Sequence, residues 1–323
     1  DPKLAALYRD VQAMLGCDDR FDSTGESGFV TLKGKPLFLL KGRFINNGQL
    51  NDEAAEPIPG FVRVEGGKFS IGHKDEADKD GKSDNPPREF TLDNAPFYMA
   101  RTLTTVAQFG AFVDDGGYTA PANLGLWDKQ GLALLKTEKR NRPHDWDAQQ
   151  AVGSSPVVNV TWYEARAYAR WLQHQLGKSY QVGLPTEAHW ERAARHPDVQ
   201  TRWPWGDSPK TVGLHANTNE SDIGGVSSVG CFAPTSIGLL DIAGNVLEWQ
   251  ANASSLKDSD SLIALLKDQA PVKGSLVALR GGSWFDIPEH ARCSFRLRDP
   301  PGGWYYDIGF RVILSLAKLE TAS

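Results

Sequence analysis

The sequence predicts an α+β protein built on twisted antiparallel sheets, with two main helices and many loops. Three observations lead there. Short apolar runs recur between glycine and proline punctuation, as in FVRVEGGKFSIG and REFTLDNAPFYMA. Two stretches repeat apolar residues at helical spacing behind a threonine that can cap them. No βαβ repeat and no GxGxxG or GxxxxGK phosphate loop interrupts this pattern, which argues against a parallel nucleotide-binding sheet.

Taken in order, LAALYRDVQAMLG (4–16) alternates at helical spacing, and 28–45 reads as two short strands about a Gly-Lys-Pro turn. The polar stretch 46–59 closes on two prolines and reads as a linker. Residues 1–55 are therefore expected to form an N-terminal extension of helix plus hairpin, and 56–323 the main domain. Strands follow at 61–71 and 88–100, separated by a charged loop. That loop's Asp75, Asp78, Asp80 and Asp84 miss the spacing of a calcium loop and read as a solvated acidic turn. The first main helix starts after Thr104-Thr105, buries Val106, Phe109, Ala111, Phe112 and Val113, and stops at Gly116-Gly117. Residues 118–155 show little periodicity. Pro156 to Val160 reads as a buried strand. Thr161 and Glu164 then form a capping box for the second main helix, which carries Trp162, Ala165, Ala169 and Leu172 on one face and ends at Gly177. A third, short helix opens behind Thr186.

Bulk properties narrow the function. Forty per cent hydrophobic residues, 32 glycines and ten tryptophans mark a folded, turn-rich globule. A formal charge of −5 argues against nucleic-acid binding driven by phosphate contacts. No run approaches the roughly 18 apolar residues that span a bilayer. No segment resembles a signal peptide, an opening Asp1 in place of Met is compatible with trimming, and the compartment stays open. Cys17, Cys231 and Cys293 are too scattered for a disulfide framework and are read as free thiols. The tryptophans at 162, 171, 190, 203, 205 and 249 are read as core.

The most informative segment is Arg280 to Val312. Its ends, Arg-Gly-Gly-Ser-Trp and Ile-Gly-Phe-Arg, suit buried strands. Between them Phe285, Asp286, Ile287, His290, Cys293, Phe295, Leu297, Asp299, Gly302, Gly303, Tyr305, Tyr306 and Asp307 follow neither a helical nor a strand period. A rigid frame around chemically mixed contents suits a recognition surface. Phe285, Phe295, Tyr305 and Tyr306 offer stiff contact area at low entropic cost, and Asp286, His290, Asp299 and Asp307 offer polarity. Arg292, Arg296 and Arg311 are expected to pair with buried carboxylates and fix the loops.

FVRVEGGKFSIG, PVVNVTWYEARAYARWL, LPTEAHWERAAR, WPWGD, GLLDIAGNVLEW, RGGSW and IGFR occur in an order that resembles the formylglycine-generating-enzyme-like, or sulfatase-modifying-factor, family over about residues 60–314. The resemblance implies the C-type lectin fold. Catalytic members use two cysteines just after GGSW that bind copper(I) as thiolates. Here Asp286 and Ala291 stand near those places, and Cys293 lacks a partner in the segment. The HxxxHxE motif of the related sulfoxide synthases is also missing among the seven histidines. On that ground no enzyme activity and no obligatory cofactor are expected.

The spacing Arg292, Arg296, Arg298, Pro301, Trp304 and Ile308-Gly309-Phe310-Arg311 resembles the variable proteins of diversity-generating retroelements. In that family adenines of template codons are mutated, and AAC-type codons yield Phe, Asp, Ile, His, Cys, Leu, Pro, Gly or Tyr but not Lys, Glu, Gln, Met or Trp. Positions 285–287, 290, 293, 295, 297, 299, 300, 302, 303 and 305–307 carry only residues from the first set. The resemblance thus implies a non-catalytic protein that displays a variable region, 280–312, to an unidentified protein or surface ligand. Two alternatives stand beside it: an oxidase using Cys293 or a metal, and a sensory or regulatory domain. Asn245, Glu248 and the Val246 carbonyl resemble one calcium site of the catalytic family, and Asn217 with Asp222 parts of another. Calcium ligation and simple loop hydrogen bonding are both open for these residues.

Overall fold

The computed structural model describes residues 29–32, 35–39, 60–74, 85–92, 95–120, 125–176, 180–195, 200–208, 211–253 and 274–316. The helix expected at 4–16 and the acidic loop 75–84 lie outside the described residues. β1 (Phe29–Leu32) and β2 (Lys35–Leu39) pair antiparallel, the hairpin expected from the Gly-Lys-Pro turn.

The two strands of FVRVEGGKFSIG enter different sheets. β3 (Phe61–Val64) pairs with β6 (Phe97–Ala100), whereas β4 (Gly67–Ile71) pairs with β5 (Arg88–Leu92). β7 (Tyr180–Gly183) and β12 (Ile313–Leu316) complete a four-stranded sheet in the order β3-β6-β12-β7, antiparallel throughout. The other four-stranded sheet is β10-β9-β8-β11, formed by β8 (Leu247–Ala253), β9 (Val277–Arg280), β10 (Leu297–Asp299) and β11 (Ile308–Gly309). Its β8–β11 pair is parallel, an exception to the antiparallel expectation.

Capping chemistry sets the helix starts. α1 (Val106–Asp114) begins at Thr105, whose hydroxyl accepts from the Gln108 amide while the Gln108 side chain accepts from the Thr105 amide. α4 (Trp162–Leu176) begins the same way: Thr161 accepts from the Glu164 amide at 3.2 Å, and Glu164 accepts from the Thr161 amide at 2.7 Å. α5 (Glu187–Ala194) is capped by Thr186. Two elements were not legible in 118–155, namely α2 (Lys129–Glu138) and the single turn α3 (Trp146–Gln149); α6 (Val212–His215) is similarly short. α2 buries only Gly131 and Leu135, so its apolar stripe is too thin to show as a period.

The segment Pro156–Val160 is buried yet is not a strand. Asn159 takes a left-handed φ of 57°, which breaks the extended run after an isolated bridge from Thr105 to Pro156. The larger core joins α1 and α4 to β11 and the following residues: Phe109 stacks on Tyr168 at 5.6 Å, and Phe310 meets both edge-on. A second core gathers Phe69, Phe90, Trp190 and Ile313 between α5 and the β4–β5 pair. Five of the six tryptophans read as core are fully buried. Trp205 is half-buried, sandwiched between Trp203 and His215.

Candidate functional site

The C-terminal segment hangs between two strands of one sheet. β9 ends at Arg280 opposite Glu248, and β11 places Gly309 opposite the same Glu248 from the other side of β8. Both ends of the 281–307 loop system are therefore anchored on one buried strand, and β10 folds back onto β9 midway. Gly282 has to be glycine: its φ is +70°, and a Cβ there would stand 2.8 Å from the His290 carbonyl. Gly309 passes so close to β11's neighbour Val157 that a Cβ would lie 2.6 Å from its carbonyl oxygen.

Beneath the loops lies a buried ionic frame. Arg280 donates to Glu191 and to the carbonyls of Cys293, Ser294 and Phe295, which shapes the loop from below. Glu191 also accepts from the Gly72 amide at 2.7 Å, from Arg195 at 2.8 Å and from Asn85 at 3.1 Å. Burial raises its pKa, but Arg280, Arg195 and the Gly72 amide outweigh that and hold the carboxyl below its usual range. Arg296 grips Glu187 with two bonds of 2.5 Å, and Arg311 donates to Glu248 at 2.8 Å. Burial leaves Glu248 with a raised pKa, against the pull of Arg311. Arg296 and Arg311 thus pair with buried carboxylates as expected, and Arg292 donates to the Glu289 carbonyl at 2.7 Å.

Above this frame the structure separates the thirteen residues singled out from the sequence. Phe285, Ile287, Tyr305 and Tyr306 are exposed at 61, 47, 45 and 50 %. Phe285, Trp284 and Tyr306 touch one another, with ring centroids 5.6 to 6.1 Å apart. Asp286, His290, Phe295, Leu297, Asp299, Gly302, Gly303 and Asp307 are half-buried around them. Cys293 does not join the face. It is fully buried in the second core, with its thiol 3.9 Å from the Ala194 carbonyl, because Arg280 and the Arg202 carbonyl hold its backbone inward.

Hydrogen bonds join the two arms of the face. Ser283 Oγ lies 2.9 Å from Asp286 Oδ2 and 3.0 Å from Asp307 Oδ2, and Asp286 Oδ1 lies 2.8 Å from His290 Nδ1. His290 stacks on Phe295 at 4.1 Å. Burial pushes the Asp307 and Asp299 carboxyls up, and the Asp299 charge pushes up the Tyr305 phenol that bonds it. Sequence reasoning missed Trp304's role at the edge. His144 stacks on it at 3.7 Å and Arg140 lies over it at 5.4 Å, next to a cleft of about 480 Å³ lined by residues 138–148. No periodicity in 118–155 announced that contact.

The residues that resembled calcium ligands are partly brought together. Asn217 Nδ2 donates to Asn245 Oδ1 at 3.2 Å, and Asn245 also bonds the Ser227 backbone in both directions. Val246 is buried in the small core with Leu103, Glu248 is committed to Arg311, and Asp222 is exposed. Among the described residues no three His, Cys, Asp or Glu side chains gather as a metal-ligand set. Nor is any described helix long and apolar enough to cross a membrane.

Residues 46–316 match the family described as sulfatase-modifying factor enzyme 1-like domain. A formylglycine-generating enzyme of Thermomonospora curvata is 31% identical over 263 residues, covering 71% of this chain and 84% of that protein. A protein of Bos taurus named inactive C-alpha-formylglycine-generating enzyme 2 is 29% identical over 311 residues, covering 85% and 92%. Among solved structures, Treponema denticola variable protein 1 shares the fold at a TM-score of 0.57 and 22% identity, covering 78% of this chain and 94% of its own. The C-type lectin fold and the likeness to variable proteins therefore hold. The expectation of a chain outside enzyme chemistry does not: relatives at about 30% identity carry enzyme names, one of them qualified as inactive. The missing cysteine pair spoke to one copper chemistry, and it was too narrow a ground for excluding enzymes as a class.

Proposed function

The chain belongs to the sulfatase-modifying factor enzyme 1-like family, and we propose that its C-terminal segment works as a ligand-binding face. The observation that carries this is where the apolar surface lies. Six large hydrophobic side chains are exposed among the described residues, and four of them, Phe285, Ile287, Tyr305 and Tyr306, fall within 22 residues of one segment. Exposed aromatics set on a fully buried frame mark a recognition surface rather than a packing defect. The half-buried carboxylates of Asp286, Asp299 and Asp307 ring the aromatic centre and supply polarity at the rim.

The test is selection of a random displayed-peptide library on the intact chain, with a Phe285→Ala/Tyr306→Ala chain as counter-target. Both side chains are half or more exposed, so the double variant should unfold within about 1 kcal/mol of the parent. Selected peptides should lose at least tenfold in affinity for the variant. Peptides that bind both chains equally would place the binding surface elsewhere.

The enzyme name borne by the Thermomonospora curvata relative favours a second reading, in which this face docks a substrate for chemistry. Incubation with a cysteine-containing peptide, copper(I), dioxygen as oxidant and a thiol reductant, followed by mass spectrometry for conversion of the cysteine thiol to an aldehyde, separates it from binding alone.

A further inference from the structure

The exposed aromatic patch sits among carboxylates that lack a basic partner. Asp286 and Asp307 meet Ser283 beside Phe285 and Tyr306, and Asp299 bonds Tyr305. Glu289 is exposed in the turn Pro288–Ala291. Glu220 is exposed next to Asn219, whose amide donates to the Asp286 carbonyl at 3.0 Å, and Asp222 lies exposed two residues further on. Among the described residues none of these carboxylates forms an ion pair with a lysine or arginine; Asp286 has His290 at 2.8 Å. The contrast lies directly below, where Glu187, Glu191 and Glu248 are each paired with an arginine.

The cations of the segment are turned elsewhere. Residues 281–307 contain no lysine. Arg296 is committed to Glu187, and Arg292 donates to the Glu289 carbonyl. Arg298 is exposed, but alternation along β10 sends it to the opposite side of the strand from Asp299, which meets Tyr305. Across Trp304, Glu164 holds Arg140 and Asp147 holds Arg142, while Lys139 is exposed. The negative field therefore belongs to the Phe285–Tyr306 side and not to the Trp304 edge.

Ring electrostatics act in the same direction. An aromatic face is the negative part of its quadrupole and attracts a cation. Phe285 and Tyr306 are 61 and 50 % exposed, which leaves them open to one. We infer that the face takes a basic segment of a protein partner, with a lysine or arginine side chain over the Phe285 and Tyr306 rings and the surrounding carboxylates as its counter-charge. This rests on the binding reading above and names the chemistry of the occupant. An acidic partner would set like charges against the rim, and a purely apolar one would desolvate Asp286 and Asp307 with no cation in return.

The experiment selects a random displayed-peptide library without cysteine on the intact chain and counter-screens it on Phe285→Ala/Tyr306→Ala. Peptides that lose affinity on the counter-target should carry Lys and Arg over Asp and Glu in about threefold excess relative to the unselected library. A rim variant, Glu220→Gln/Asp222→Asn/Glu289→Gln, removes exposed charges and leaves the rings alone; asparagine accepts the left-handed φ of 57° at position 222. It should bind those peptides about threefold to tenfold more weakly, mainly through slower association, and with a flatter salt dependence than the parent. Circular dichroism checks its folding, and the three single replacements stand in where the combination fails to fold. Peptides that need Phe285 and Tyr306 yet are neutral or acidic, or whose binding the rim variant leaves unchanged, overturn the basic partner while the binding face stands. Peptides that bind the parent and the counter-target equally overturn the face itself, and the basic partner with it.

Discussion

Replacing Glu191 by Gln tests the claim that a buried ionic frame, rather than loop packing, holds the 281–307 loops. Glu191 is fully buried and gathers Arg280, Arg195, Asn85 and the Gly72 amide around one carboxylate. The amide keeps the shape but removes the charge, leaving Arg280 and Arg195 buried beside a neutral group that presents an N–H to one of them. Breaking a buried pair from one side costs about 3–5 kcal/mol. That is two to four decades in the unfolding equilibrium at about 1.4 kcal/mol per decade, against a total domain stability of about 5–15 kcal/mol. Urea unfolding followed by circular dichroism gives the loss directly, and for a domain this size the melting point should fall by about 6 °C or more. Arg280 also carries the carbonyls of Cys293, Ser294 and Phe295, so hydrogen exchange should rise across 290–296 before the rest of the chain. A stability loss below about 1 kcal/mol, with unchanged exchange at 290–296, would refute the frame.

Two further outcomes follow from the same geometry. Glu191 and Asp307 should give opposite pH dependences. The lowered pKa of Glu191 contributes stability above the ordinary carboxylate value, lost as the pH falls through the folded value; the raised pKa of Asp307 contributes stability below the ordinary value, lost as the pH rises through the folded value. Comparing urea midpoints against pH for the parent and Asp307→Asn isolates the second slope, which should flatten in the variant. Cys293 is fully buried and Cys231 only half so; brief alkylation of the native chain, read peptide by peptide in a mass spectrometer, should label Cys231 well before Cys293, and equal labelling would contradict the inward placement of the Cys293 backbone.

The sequence exposed those parts of the fold whose physics is local. The capping boxes at Thr105 and Thr161 lie within four residues of their partners, so helix starts could be read directly. The strand partners could not. FVRV and GKFSI are adjacent in sequence yet belong to different sheets: β3 and β6 place side chains in both cores, whereas β4 and β5 pack on the second alone, a choice made by contacts distant in sequence. Val157 and Val158 read as strand for the same reason that they are buried; only the left-handed Asn159, set by contacts far away in sequence, ends the run. α2 stayed hidden because a helix that buries two residues in ten leaves almost no period.

The candidate face divides along the same line. Residue chemistry picked out Phe285, Tyr305 and Tyr306, and exposure agrees with a surface role for them, but Cys293 shares their irregular spacing and points into the core. What separates them is the frame below. Arg280 pulls the carbonyls of 293–295 inward from a carboxylate 102 residues before Cys293, a contact with no trace in the local pattern. The same frame explains how a loop system of mixed, mostly non-periodic residues can keep one conformation. Its own side chains contribute a serine bridge and a ring contact, while the directional bonds that fix its path come from the buried arginines and from β8. Substitution at the exposed aromatic positions should therefore alter what is recognised at little cost in stability, whereas substitution of Arg280, Glu191 or Gly282 should cost stability first and recognition only as a consequence.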